Sequence, residues 1–123
     1  MTVTAYTLAV VLDVFCLFLG YRFLFRPGPA AAGYGVAADP AGDAGAYLTI
    51  KGLRDGAFGV LGLVLLAFAG ARAEAWFMLC VALVPLGDTL IVLRHGGARA
   101  VAFGVHFATA AVVLISAALL FLV

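Results

Sequence analysis

Residues 46–69 read AYLTIKGLRDGAFGVLGLVLLAFA, an apolar stretch that nevertheless carries Lys51, Arg54 and Asp55. A helix needs about 20 residues to cross a hydrocarbon core about 30 Å thick, and this stretch is long enough to do so. Charged side chains at membrane depth are costly and are usually retained for a function. The stretch therefore predicts a membrane-spanning helix and also indicates where the functional residues of the chain lie.

The composition of the whole chain supports a membrane protein. Its 123 residues are 67% hydrophobic and 11% charged, and the mean hydropathy is +1.24, whereas a soluble domain typically carries about 25% charged residues. The net charge is only +1 and the basic residues are dispersed, which argues against a nucleic-acid partner and leaves the lipid bilayer as the expected surroundings. Asp13 interrupts the first apolar run and no basic segment precedes it, so we expect a retained span rather than a signal peptide.

Breaks in the apolar pattern divide the chain into four predicted spans. Arg26-Pro27-Gly28-Pro29 closes the first, Gly70 the second and His95-Gly96-Gly97 the third, because proline and glycine end helices. The predicted fold class is all-α, a four-helix transmembrane bundle in a single domain, residues 1–123, with a long loop at 27–45. The predicted spans are 4–25, 46–69, 75–93 and 99–123.

The distribution of positive charge predicts the orientation of the bundle. Only Arg72 flanks the side that carries the second connection. The other basic residues flank the side with the first and third connections, and by the positive-inside rule that side is cytoplasmic. We therefore expect both termini outside, in a membrane of the bacterial inner-membrane type. The basic residues on the cytoplasmic side are Arg22, Arg26, Lys51, Arg54, Arg94 and Arg99.

Three ionisable residues on different spans share a predicted depth. Asp55, Asp88 and His106 each lie on the order of 10 Å from the nearest helix end at 1.5 Å per residue, and such groups are expected to turn inward and pair. Lys51 and Asp55 are four residues apart and share a helix face, while Arg54 is predicted to reach Asp88. Asp13 is expected either at the floor of the same cavity or at a separate proton-accepting position.

These residues define the candidate site, although ion pairs of this kind also occur purely as structural links within a bundle. The composition and spacing favour neither a cofactor nor a metal site. The two histidines do not have the spacing of metal ligands, and no carboxylate accompanies them in a metal-binding pattern. The candidate catalytic residues are Asp88, Asp55, His106 and Arg54. The candidate substrate-binding residues are Lys51, Arg22, Asp13, Tyr21, Phe58 and Phe103.

Several short motifs carry a family resemblance. Gly20-x-Arg22 with Pro27, Lys51-Gly-Leu-Arg54-Asp55, Pro85-x-x-Asp88, His95-Gly96 and His106 resemble the pattern of a family of small four-helix membrane proteins of unknown function. The resemblance covers nearly the whole chain and implies the same polar cluster without an established activity. More distantly, the architecture is similar to DoxX-like proteins and to the sterol-isomerase group of membrane enzymes.

Two functions are favoured by this pattern, and a third, an accessory subunit that only packs against a larger enzyme, would leave no sequence signature. The first is an acid-base enzyme that acts on a lipophilic small molecule and isomerises a double bond, opens an epoxide or cyclises an isoprenoid without a cofactor. The second is a small proton-coupled transporter or carrier, in which Asp13 exchanges a proton for a cationic substrate and a homodimer surrounds the path. The cationic side chains of Lys51 and Arg54 favour the enzyme, because they would repel a cation.

Overall fold

Five helices make up the fold in the computed structural model, which describes residues 1–123. They are α1 (Thr2–Phe25), α2 (Pro27–Tyr34), α3 (Ala44–Ala69), α4 (Ala71–Arg94) and α5 (Arg99–Phe121). The four long helices, α1 and α3 to α5, are long and apolar enough to cross a membrane. The prediction of an all-α protein with four candidate spans is therefore confirmed, and each predicted boundary lies within a few residues of the observed one.

The connection between α1 and α3 differs from the predicted 27–45 loop. Its first half is α2, which begins with Pro27 and ends at Gly35, a glycine with φ of 95°. Proline at the first position of a helix loses no hydrogen bond, so the Pro-Gly-Pro segment starts a short helix after ending the long one. The second half contains a turn before α3, in which Asp39 Oδ1 accepts the Ala41 N–H at 2.9 Å.

Glycines allow α1 and α3 to pack against each other. A Cβ at Gly20 would lie 2.7 Å from the backbone nitrogen of Gly56, and one at Gly52 would lie 2.9 Å from that of Leu24. Real Cβ atoms do not approach backbone atoms so closely, so only glycine permits this contact. The GxxxG spacing of Gly52 and Gly56 is thus used inside one protomer for helix packing.

The main apolar core lies among α1, α4 and α5. It is built largely from alanine, which lets the helices approach closely: Ala5, Ala9, Ala75, Met78, Ala82, Val113, Ala117 and Leu120. Many large apolar side chains point outward from all four spans, including Phe18, Leu53, Leu83 and Ile115. An outer surface of this kind matches hydrocarbon rather than water. The core occupies the end of the bundle at which the chain termini lie, which we call the terminal end, and the opposite end is called the loop end.

Two local departures from α-helical geometry affect the loop end. Residues 102–107 form π-helical turns at the start of α5, and α4 is interrupted at Ala82, three residues before Pro85. Proline has no N–H to donate to the Val81 carbonyl, so the interruption follows from its position. Both irregularities border the cavity described next.

Candidate functional site

A cavity of about 270 Å³ opens between α1, α3, α4 and α5 and is bordered by α2. Most of its wall is apolar, with Phe15, Phe18, Phe58, Val84 and Val105 among the contributing residues. Besides Cys16, seven polar or ionisable residues interrupt this apolar wall, in the way that ligand-binding cavities place a few polar groups among apolar ones. They are Arg22, Tyr34, Lys51, Asp55, Asp88, Thr109 and His106.

Asp88 lies between two partners in this wall. The Tyr34 hydroxyl donates a hydrogen bond to Asp88 Oδ2, and His106 Nδ1 lies 4.0 Å from the same oxygen. The rings of Tyr34 and His106 pack edge to face with centroids 4.4 Å apart. The three side chains therefore form a contiguous polar group from α2, α4 and α5.

The tautomer of His106 follows from its second contact. Its Nε2 lies 2.7 Å from the backbone carbonyl oxygen of Tyr34, and a carbonyl oxygen can only accept, so Nε2 carries a hydrogen. In the neutral imidazole Nδ1 is then an unprotonated acceptor facing Asp88. A side chain held this way can take a proton from a bound molecule, with a carboxylate beside it to stabilise the resulting imidazolium.

The π-helical turns contribute to the placement of His106. The residue lies within them, is 4% exposed and projects into the cavity. A π-helical turn rotates the following side chains relative to a regular α-helix and is frequent at functional sites. Thr109, one turn further on, donates its hydroxyl to the Val105 carbonyl at 2.6 Å.

A second polar group lies on α3. Lys51 Nζ donates to Asp55 Oδ2 at 2.6 Å, as the four-residue spacing predicts. The same ammonium group lies 4.6 Å from the ring centroids of Phe23 and Tyr34. Two aromatic faces and one carboxylate therefore hold the lysine at the cavity.

Tyr34 connects the two polar groups. Burial, followed by the hydrogen bond to Asp88, raises the pKa of its phenol above the ordinary tyrosine value, so it remains a proton donor at neutral pH. The sequence pattern gives no reason to single out Tyr34, since it lies in the connection rather than in a span. The only local signal is that Tyr34 is an aromatic residue directly before Gly35, the glycine that ends α2. That signal could have indicated that the Tyr34 side chain has a fixed position.

Six of the ten predicted site residues line the cavity: Asp88, Asp55, His106, Lys51, Arg22 and Phe58. The other four do not. Tyr21 and Phe103 are 54% and 46% exposed on the outer surface. Their positions on the helix surface, set by packing, turn them away from the cavity.

The expected contact between Arg54 and Asp88 is wrong. Arg54 is exposed and belongs to no ion pair, since the two ion pairs present join Lys51 to Asp55 and His106 to Asp88. One residue before Asp55, Arg54 is rotated by about 100° around the helix. That rotation directs it outward, and Tyr34 occupies the place beside Asp88 instead.

Asp13 belongs to a separate buried group. It is 3% exposed and does not line the cavity; its carboxyl group instead lies close to that of Glu74, which is 0% exposed. The sequence pattern places Glu74 in a short polar link, whereas the structure includes it in α4 with its side chain buried. The signal that could have found it is its position beside Ala75 and four residues before Met78, on the helix face that enters the core.

Comparison with known proteins identifies a family but no function. A family model for a domain of unknown function, DUF4267, matches residues 14–120 and therefore includes every side chain of the cavity. No curated protein and no solved structure matches the chain. The motif-by-motif resemblance and the similarity to DoxX-like and sterol-isomerase proteins stay predictions. The match over nearly the whole chain shows that this protein belongs to the DUF4267 family of proteins of unknown function.

Proposed function

We propose that this protein is a cofactor-independent, membrane-embedded enzyme that performs acid-base chemistry on a lipophilic small molecule. The observation that carries the proposal is the juxtaposition of His106, Asp88 and Tyr34 on a largely apolar cavity. An apolar cavity accepts a hydrocarbon skeleton, and an adjoining base and acid can move a proton on it. Isomerisation, epoxide opening and cyclisation are all reactions of this type.

The chemistry is simplest for an isomerisation. His106 Nδ1 removes a proton from a carbon next to a carbonyl group, and the electron pair moves to the carbonyl oxygen. Lys51, held by Asp55, orients that oxygen and stabilises its negative charge. Asp88 stabilises the imidazolium, Tyr34 fixes Asp88, and His106 returns the proton to the far carbon of the shifted double bond. Substrate and product therefore have the same atoms.

Proton exchange tests this proposal before the natural substrate is known. Purified protein in lipid nanodiscs in D₂O is mixed with small β,γ-unsaturated ketones, and deuterium at carbon is measured by mass spectrometry. We expect incorporation above the protein-free rate, and a loss of at least about 100-fold in His106→Gln, since a positioned base typically contributes 10²–10⁴-fold. His95→Gln, outside the cavity, is the matched control.

A second assay measures the opening of terminal epoxides under the same conditions. Activity on either probe that His106→Gln and Asp88→Asn remove and His95→Gln retains supports the proposal. A rate on both probes that is equal in wild type, His106→Gln and empty nanodiscs contradicts it. Folding of each variant is checked by its elution as a single species.

The proposed setting is a bacterial-type inner membrane with the loop end on the cytoplasmic side. The support is the charge distribution, because six of the seven Lys and Arg residues flank the loop end in the sequence. In that orientation the cavity is reached from the inner leaflet or the cytoplasmic face, and both termini are outside.

A proton-coupled carrier is the second candidate, and the burial of Asp13 against Glu74 is the observation that favours it. Against it, Lys51 and Arg22 border the cavity and would repel a cationic substrate. In liposomes this function requires substrate-dependent proton movement that Asp13→Asn abolishes and Asp88→Asn retains. Retained movement in Asp13→Asn would eliminate the carrier.

A further inference from the structure

Two carboxyl groups are buried together between α1 and α4, apart from the cavity. Asp13 and Glu74 are 3% and 0% exposed, and their carboxyl groups lie close enough to interact with each other. No basic side chain neutralises either one, because the ion pairs of the chain involve only Lys51, Asp55, Asp88 and His106. The other ionisable side chain close to both is Cys16.

Further polar atoms at this place lack partners. Asp13 Oδ2, both oxygens of Glu74 and the hydroxyl of Ser116 have no hydrogen-bond partner. Ser116 is 0% exposed and shares a buried face of α5 with Val113, Ala117 and Leu120, which packs on the α1 and α4 residues that flank the carboxyl groups. The side chain is therefore buried in the core of the three helices, where a hydroxyl ordinarily has a partner.

The protein makes room for this pair. A Cβ at Gly62 of α3 would collide with the Asp13 carboxyl group, so glycine at that position is what allows the carboxyl group to lie there. Two ionised carboxylates in such a place would be very costly without a neutralising cation. A hydrogen bond between two carboxyl groups, in contrast, requires only that one of them carries a proton.

We propose that Asp13 and Glu74 form a proton-binding site in which the two carboxyl groups share at least one exchangeable proton. Glu74 lies in the first turn of α4, next to the exposed Arg72, so the proton exchanges with water at the terminal end. The site is independent of the catalytic proposal, because neither of its two residues lines the cavity.

Infrared spectroscopy of the protein in lipid nanodiscs at neutral pH tests this inference. A protonated carboxyl group has a C=O stretching band that is separate from the carboxylate bands and shifts in D₂O. We expect a band in wild type that the double substitution Asp13→Asn/Glu74→Gln removes, and Asp43→Asn, at an exposed carboxyl group before α3, leaves unchanged. The amides have nearly the shape of the protonated acids, so the double variant is expected to fold.

Single substitutions supply a second measurement if the double variant does not fold. Asp13→Asn and Glu74→Gln should each shift or remove the band, since each breaks the shared hydrogen bond. Wild-type spectra that match both single variants in this region would overturn the proposal. A band that depends on the pair but does not shift after hours in D₂O would overturn the exchange with water.

Discussion

At the scale of single residues, Tyr34 decides the character of the cavity. Its hydroxyl donates to Asp88, its carbonyl oxygen accepts from His106, and its ring packs against Lys51. Tyr34 thereby fixes the tautomer of His106, the candidate base, and donates a hydrogen bond to the neighbouring carboxylate of Asp88. Asp88 and His106 would each lose a defined partner without it.

Tyr34→Phe is expected to change the alkaline behaviour of the protein. Because the pKa of Tyr34 is raised on folding, the unfolded chain releases this proton first, so its contribution to stability is present below about pH 10 and is lost as the pH rises above that value. Tyrosinate absorbance should therefore show one group in wild type, absent in Tyr34→Phe, that ionises above about pH 10. Release of one more tyrosine proton by wild type than by Tyr34→Phe between pH 9 and 11 would contradict the prediction.

Lys51→Met is expected to destabilise the folded protein by up to about 3 kcal/mol, because the buried Asp55 carboxylate loses its counter-charge. The partial exposure of Lys51 keeps the cost below that of a fully buried pair. Lys51→Met/Asp55→Asn should recover most of the loss, and Arg54→Met, at the exposed neighbouring position, should change stability by less than about 0.5 kcal/mol. Thermal unfolding in detergent measures all three, and equal losses in Lys51→Met and Arg54→Met would exclude a stabilising ion pair.

At the scale of helices, the contact between α1 and α3 determines which side chains reach the cavity. Arg22 and Phe23 of α1 and Lys51 and Asp55 of α3 lie on either side of the Gly20 contact with Gly52 and Gly56. A close backbone approach leaves little freedom for either helix to rotate. The glycines therefore position the polar side chains although they carry no functional group.

Gly20→Ala and Gly56→Ala should have opposite effects on stability. The new Cβ at residue 20 would lie 2.7 Å from a backbone atom, whereas one at residue 56 would meet nothing within 4 Å. We expect a loss of about 1–3 kcal/mol for Gly20→Ala from overpacking and a gain of about 0.5–1 kcal/mol for Gly56→Ala from helix propensity. Thermal unfolding compares them, and a Gly20→Ala protein as stable as Gly56→Ala would show that the helices separate easily.

At the scale of the whole molecule, the two ends of the bundle are chemically different. The loop end contains the cavity with its basic and acidic side chains, and the terminal end contains the alanine-rich core and the Asp13–Glu74 pair. Each end therefore has its own group of buried ionisable side chains. This separation keeps the two carboxyl groups of the pair apart from the lysine and arginine of the cavity.

Reporter fusions at the C-terminus test the orientation. Alkaline phosphatase fused after Val123 should be active and green fluorescent protein fused there should be dark, because both termini are expected outside. The same reporters inserted after Gly97, at the loop end, should give the reverse result. Active phosphatase at the loop end alone would invert the proposed topology.

The sequence by itself determined the four candidate spans and predicted a common depth for Asp55, Asp88 and His106, because the length of an apolar run and the rise per residue are local properties. Only the tertiary structure decided which polar side chains meet. It brought Tyr34 to Asp88, turned Arg54 outward and paired Asp13 with Glu74. The rotation of each helix about its axis depends on close contacts between helices, and that of α5 also on the π-helical turns that contain His106. Neither feature can be read from the hydropathy of one segment.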